Sequence, residues 1–420
     1  MSDTYASKPA FATSEMANIL SAGAKEISGE TLLVANLGYG LRLRTRIGKI
    51  DHALLPDTGT EGAAFIRNCR NLAIDLGEVE EIAITHGHWD HMGALPAALD
   101  AIAGCRGRQS VSVHVNPGTF NERGVLPANG TIFPAATVPT PAEMEAQGAR
   151  VVNDGGERTL LDDHFYYSGE IPRVSSFEKG REDHLCRKDN SEEWPPDPFL
   201  MDERMMIVNV AGLGLVVFSA CSHAGIVNVC TEARRLFPDV PIHAVMGGLH
   251  LGGVMERIIP QTVEGLRPVD VGYFFAGHYT GWHALHALAN AYGARVSQSA
   301  VGTKYVFEAI SDAPRATPTA PASATSRAGD ALGAERLGQR NEAFGMDVDP
   351  GLGCDVRRNA RPELQRPRHE GRTHAESARR LQIVLVAGHH HDLLRPVAET
   401  VDGELIDRGR GLVAPHQLGR

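Results

Sequence analysis

The 420 residues carry 41 basic and 51 acidic side chains, a net charge of −10, and 42% of them are hydrophobic. That composition is globular: it excludes a wholly disordered chain, and its acidity argues against a nucleic-acid partner. Six cysteines with no CxxC pair make neither a disulfide framework nor a zinc ribbon. The opening MSDTYASKPAFATSEMANIL lacks a signal-peptide pattern, and no apolar run nears the roughly 20 residues that span a bilayer. These features lead to the expectation of a cytoplasmic protein with no membrane partner; they do not define its oligomeric state.

Residues 1–29 read as an N-terminal extension, and the domain proper is expected over 30–310. TLLVANLGYG and LRLRTRIGKI read as strands turning through glycine. EEIAIT is a short buried strand that runs into a histidine-rich loop, followed by the helical stretch GALPAALDAIAG. VSVHVNP is a further strand, and RMMIVNVAGLGLVVFSA reads as a hairpin through Gly212 and Gly214. IHAVMGG and VGYFFAG continue the pattern, with helices over 224–236 and 281–291 and a last strand pair formed by RVSQSAVG and TKYVFEAI. Short strands that deliver polar loops at one edge point to an α/β scaffold carrying its site in those loops.

After Ser311 the composition changes. Residues 312–420 hold 16 arginines, no lysine and 15 acidic residues, and open with a Pro/Ala/Ser/Thr-rich stretch. Such a segment buries too little to offset its ordering entropy. Residues 311–420 are therefore expected to be a low-complexity, disordered tail, and a chain ending at Ala313 to fold by itself. LQIVLVA, at 381–387, stands alone as a strand or short helix that could add an edge strand. The triple His389–His391 is read as incidental.

The informative segment is Thr85-His86-Gly87-His88-Trp89-Asp90-His91, three imidazoles and a carboxylate in six residues directly after a buried strand. Imidazole nitrogen and carboxylate oxygen suit zinc, with iron or manganese able to fit the same ligands. His86 and His88 can face one ion while Asp90 and His91 reach a second, a two-metal clamp that activates water and polarises the bond attacked.

This THGHWDH loop resembles the HxHxDH signature of the metallo-β-lactamase superfamily. Asp57-Thr58-Gly59, the Tyr167–Arg173 stretch (YSGEIPR), the Cys221–Asn228 stretch (CSHAGIVN), GGLHL at 247–251 and His278-Tyr279-Thr280-Gly281 stand in the order of one branch. That branch is similar to the 7,8-dihydropterin-6-methyl-4-(β-D-ribofuranosyl)aminobenzene-5′-phosphate synthases. The resemblance spans about residues 30–305 and implies an αββα sandwich with two divalent ions at one edge. His86, His88 and His223 would hold the first ion, with Cys221 as the rival ligand; Asp90, His91 and His278 would hold the second, and Asp57 would orient a metal-bound histidine. His250 is a candidate pocket residue, and Arg173 and Lys179 are candidate partners for a substrate phosphate or carboxylate. Tyr279 replaces the cysteine usual in the branch. His164, His184, His283 and His286, and the cysteines other than Cys221, are given no role.

The implied activity is metal-dependent hydrolysis, in which a metal-bound hydroxide attacks an ester, lactone or phosphoester and Asp90 orients the water. The alternative is the branch's condensation of a dihydropterin diphosphate with a ribofuranosylaminobenzene phosphate, releasing pyrophosphate. A flavodiiron centre is disfavoured by His88, where that branch has glutamate. A nuclease is disfavoured by the acidic head, and a metal-free binding protein by the intact motif.

Overall fold

The computed structural model describes residues 9–107, 109–127, 129–188, 191–308 and 378–387, and in it the alternating segments assemble into two large sheets and one small one. The strands are β1 (Ala12–Thr13), β2 (Gly40–Ile47), β3 (Ile50–Pro56), β4 (Glu81–Ala83), β5 (Val111–Val115), β6 (Glu122–Val125), β7 (Phe133–Pro134), β8 (Ala149–Asn153) and β9 (Arg158–Leu160). They continue as β10 (Phe165–Tyr167), β11 (His184–Arg187), β12 (Met206–Val210), β13 (Gly214–Ser219), β14 (Ile242–Gly248), β15 (Tyr273–Gly277), β16 (Val296–Gln298), β17 (Lys304–Glu308) and β18 (Arg380–Ala387). The helices are α1 (Glu15–Ser21), α2 (Gly62–Asn71), α3 (Trp89–Met92), α4 (Leu95–Arg106), α5 (Pro141–Ala146), α6 (Ile226–Leu236), α7 (Ile259–Leu266) and α8 (Trp282–Tyr292).

The first sheet has the order β1-β17-β18-β2-β3-β4-β5-β8, the second β16-β15-β14-β13-β12-β10-β9, and the small sheet β11-β6-β7. Apolar alternation decides the layering. Leu41 and Leu43 of β2 meet Val216 and Phe218 of β13 and Met246 of β14 in the core between the sheets. The outer face of the first sheet buries Ile82, Val113 and Val384 against Phe65 of α2 and Leu95 and Leu99 of α4. The outer face of the second buries Val217 and Val245 against α6, α7 and α8. This is the four-layer αββα arrangement that the resemblance implies. No helix among the described residues is long and apolar enough to cross a membrane.

Three expectations within residues 9–308 change. TLLVANLGYG forms no strand over residues 31–39, because side chains of α2 satisfy its backbone in place of a neighbouring strand. Asn68 both accepts from the Val34 N–H and donates to the Val34 carbonyl, at 2.8 Å each. RVSQSAVG and TKYVFEAI are not a pair: β16 lies beside β15 in the second sheet, whereas β17 joins the first between β1 and β18. Part of the supposed extension also belongs to the fold, since β1 pairs with β17 and Glu15 at the start of α1 accepts from the Leu33 N–H at 3.0 Å.

The largest change concerns the boundary at 310. LQIVLVA forms β18, which is no edge strand: it runs antiparallel to β17 on one side and β2 on the other. Leu381, Ile383 and Leu385 enter the core between the sheets, while Val384 and Val386 enter the outer core beside α2 and α4. From Ile383 to Ala387 the strand is buried on both faces and reads as an apolar run, which is why no alternation marked it. The rest of the expected tail, residues 311–377 and 388–420, lies outside the described residues.

Removing β18 would open the sheet between β17 and β2. A chain ending at Ala313 is therefore expected to be insoluble or to melt well below the full-length protein. In the full-length chain, Ile383→Ala should cost about 2–5 kcal/mol, as buried aliphatic truncations do, read by thermal or denaturant unfolding. An unchanged melting temperature for either variant would show that β18 contributes nothing to the fold.

Candidate metal centre

Strands β3 and β4 run parallel in the first sheet, and β13, β14 and β15 run parallel in the second. The loops after their carboxyl ends meet at one edge, the usual place for a site on such sheets. Asp57 follows β3, His86 and His88 follow β4, Cys221 and His223 follow β13, His250 follows β14, and His278 follows β15. Gly87 permits the His-Gly-His step: a Cβ there would lie 1.9 Å from the Thr119 carbonyl oxygen. Its N–H donates to Asp202 Oδ2 at 2.7 Å, and Arg123 holds Asp202 from the other side at 2.8 Å.

The side chains face each other through atoms that cannot all be donors. His86 Nε2 lies 3.1 Å from His88 Nδ1, and His91 Nε2 lies 3.1 Å from His278 Nε2. Asp90 Oδ2 stands 3.3 Å from His278 Nε2 and 3.9 Å from His91 Nε2. Two triads bring their ligand atoms within 4.8 Å of one another, His86–Cys221–His223 and His91–Cys221–His278, and Cys221 belongs to both. His88 and Asp90 flank these triads. Among the described residues His223 Nε2 is buried without a hydrogen-bond partner.

Electrostatics point the same way. Burial, aided by the neighbouring imidazoles, pushes His86 and His223 well below the usual imidazole range, so their lone pairs stay available. Burial also lowers His91, but Asp90 and Asp57 outweigh it and hold His91 above its ordinary value. Asp90 is held low, burial notwithstanding, by His91 and His278. The Cys221 thiol is pushed well up by burial and then by Asp90 and Glu203. A thiol surrounded by carboxylates ionises only beside a cation, and a divalent ion exchanges for that proton. The donor set, imidazoles around a shared sulfur with one carboxylate, fits zinc-type cations.

The supporting residues are more numerous than the motif suggests. Asp57 is fully buried; its Oδ2 meets His91 Nδ1 at 2.8 Å and accepts from Thr85 Oγ1 at 2.8 Å, while its Oδ1 accepts from the Thr85 N–H at 2.8 Å. Thr85 Oγ1 is also 3.0 Å from His86 Nδ1, so one carboxylate orients two imidazoles. Glu203 accepts from the backbone N–H groups of His223, at 2.8 Å, and Ala224, at 2.6 Å, and so fixes the loop that carries Cys221 and His223. Sequence reasoning missed Thr85, Asp202, Glu203 and His184. The signal for the acidic pair was present: three charged residues in a row, Asp202, Glu203 and Arg204, directly precede the apolar strand β12, where charge needs partners.

The remaining candidates divide. His250 is buried with its ring centroid 4.4 Å from that of His223. Ser222 does not cap α6; its hydroxyl donates to the Gly248 carbonyl at 2.6 Å, and Glu178 accepts from the helix N–H groups of Val227 and Asn228 instead. Burial raises Glu178 to about 7 despite those bonds. The Arg173 guanidinium donates through Nη1 and Nη2 to the carbonyls of Ile171, Phe199 and Leu200, and its Nε is buried without a hydrogen-bond partner among the described residues. Lys179 is exposed and donates to the Ser175 carbonyl at 3.1 Å. His52 and His164 pack ring to ring at 4.5 Å in a separate cluster with Glu80 and Thr45.

A four-layer αββα scaffold with a histidine-rich cluster at the strand ends defines the class. No protein-family model matches the chain. It is similar to the 7,8-dihydropterin-6-methyl-4-(beta-D-ribofuranosyl)-aminobenzene-5′-phosphate synthase of Methanocaldococcus jannaschii, with 23% identity over 249 residues, 59% of this chain and 82% of the relative. Among solved structures it is similar to a metal-dependent hydrolase of the beta-lactamase superfamily, with a TM-score of 0.48 and 20% identity over 62% of this chain and 95% of that one. The metallo-beta-lactamase fold protein YhfI from Bacillus subtilis gives a TM-score of 0.34 and 9% identity over 63% and 98%. The chain thus resembles the synthase branch of the metallo-β-lactamase superfamily.

Asp57→Asn should leave the fold intact and release His91 from its set orientation. Affinity for added zinc is expected to fall by about 10–100-fold, the usual effect of losing such a partner, in competition with a chromophoric chelator. Unchanged affinity would remove Asp57 from the centre.

Proposed function

We propose that the chain is a metal-dependent hydrolase that uses two divalent ions on an ester, lactone or phosphoester of a small molecule. The observation that carries this reading is Cys221, whose sulfur stands in both ligand triads and so supports two ions side by side. His86, His88 and His223 would hold one ion, Asp90, His91 and His278 the other, with Cys221 between them. Zinc is the first choice, and iron or manganese would suit the imidazole and carboxylate ligands. When bound, such a pair lowers the pKa of water at the site and polarises the bond under attack.

The chain's own residues supply position and proton handling. Asp57 fixes the His91 tautomer with Nδ1–H toward its carboxylate, which turns the Nε2 lone pair into the cluster. Asp90, kept ionised by its histidine neighbours, would orient the attacking water. Glu203 holds the turn at Cys221–Ala224 and so sets where the shared sulfur lies.

A second reading is supported by the similarity to the synthase: condensation of a dihydropterin diphosphate with an aminobenzene phosphate, releasing pyrophosphate. Both readings use the same ligands. Elemental analysis of protein purified without chelator, with a panel of lactones, phosphodiesters and dihydropterin diphosphates, separates them. The expected result is two metals per chain and hydrolysis of one panel class. His88→Ala should lose an ion and nearly all turnover, and Asp90→Asn should lower turnover by at least ~10²-fold. Two ions retained in His88→Ala would overturn the ligand assignment, and pterin condensation without hydrolysis would make the second reading the right one.

A further inference from the structure

The glycine between His86 and His88 is pinned in two directions by groups outside the ligand set. Where a side chain would point lies the Thr119 carbonyl, so close that a Cβ at Gly87 would stand 1.9 Å from its oxygen. Thr119 closes a turn after β5: its N–H donates to the Asn116 carbonyl at 3.0 Å, and its hydroxyl accepts from the Asn116 N–H at 3.1 Å. Along the Gly87 N–H lies Asp202, 2% exposed, whose Oδ2 accepts at 2.7 Å.

One side chain holds both groups. Arg123, on β6 of the small sheet, is buried. Its Nη2 donates to Asp202 Oδ1 at 2.8 Å and to the carbonyl of Gly118, the residue before Thr119, at 3.0 Å. Its Nη1 donates to Asp197 Oδ2, and the Asp197 N–H donates in turn to the His184 carbonyl at 2.8 Å. The guanidinium thus joins the turn that presses on Gly87, the segment that carries Asp202 and the start of β11. Its donors are fixed in one plane, so it sets the spacing of these segments as a mobile ammonium would not. Asp202 in turn has a partner on each oxygen, which a buried carboxylate requires.

We propose that Arg123 and Asp202 are positioning residues for the first metal ion: the pair sets the backbone at Gly87, and with it the ligand geometry of that ion and not of the second. The inference rests on reading the neighbouring cluster as a metal centre. The restriction to one ion follows from the hydrogen bonds. Gly87 lies between His86 and His88, both assigned to the first ion. His91 of the second set takes its orientation from Asp57 instead, and His278 follows β15 in the other sheet.

Zinc competition on the full-length protein, with chromophoric chelators of two strengths to resolve the two binding steps, tests this. In Asp202→Asn an amide N–H must face either the Gly87 N–H or the guanidinium. That variant should weaken, at least tenfold, the step that His88→Ala abolishes, as loss of a ligand's supporting partner does, and leave the other step within twofold. Arg123→Gln should do the same. The double variant should bind no more weakly than the worse single one, because the two residues act as a unit. Arg123→Lys, which keeps the buried charge and spares the fold most, should show a smaller loss at the same step. Zinc steps that are both unchanged, both weakened equally, or weakened additively in the double variant overturn the inference while leaving the metal centre in place. A parent that binds no zinc overturns the metal-centre reading and the inference with it.

Discussion

The buried carboxylate of Asp57 ties the scaffold to the site. It sits at the carboxyl end of β3, between two sheets, with no solvent to stabilise its charge, and takes its partners from Thr85 and His91. An ionised group in that position is tolerable only if every acceptor site is filled. The Thr85 backbone and hydroxyl groups fix the loop after β4, and His91 fixes α3. Because Thr85 Oγ1 also meets His86, the orientation of one imidazole in each ligand triad depends on this single group.

The same logic runs through the rest of the cluster. Asp57, Asp90 and Glu203 place three buried carboxylates around a thiol and several neutral imidazoles. Two of those carboxylates are held partly by backbone or hydroxyl donors. Divalent cations would complete the balance and convert a protonated thiol into a ligand.

Much of this was legible in the sequence where chemistry and local spacing coincide. The loop at 85–91 could be named from residue type and spacing, and Asp57, Cys221 and His278 from the resemblance that the loop opened; the structure brings them to one edge. What was not legible depends on distant parts of the chain. His184 has no spacing partner, because it reaches the centre through the small sheet and not through a parallel strand end. Sequence does not reveal backbone carbonyls, three of which accept from Nη1 and Nη2 of Arg173. LQIVLVA was set apart by its flanks, whose composition says nothing of a strand that enters a sheet from far along the chain. Its continuous apolarity was the signal of burial on both faces.

Placement of the site also carries a local cost that the layers must offset. Asp57, Ser222, His250 and Tyr279 all hold left-handed backbone, with φ of 49°, 47°, 48° and 54°. For residues other than glycine each such conformation costs about 1–3 kcal/mol and persists only where the surroundings over-determine it. All four stand just beyond strands at the same edge, where the chain must turn sharply enough to aim a side chain back across the sheet ends. The turns are held by buried bonds, such as Ser222 Oγ to the Gly248 carbonyl and the Leu249 N–H to Thr280 Oγ1. β18 adds to the same restraint from the other side. Ala387 packs so closely over the Asp57-Thr58-Gly59 turn that a Cβ at Gly59 would lie 2.4 Å from its own. Strand β18 therefore packs directly against the turn that presents Asp57.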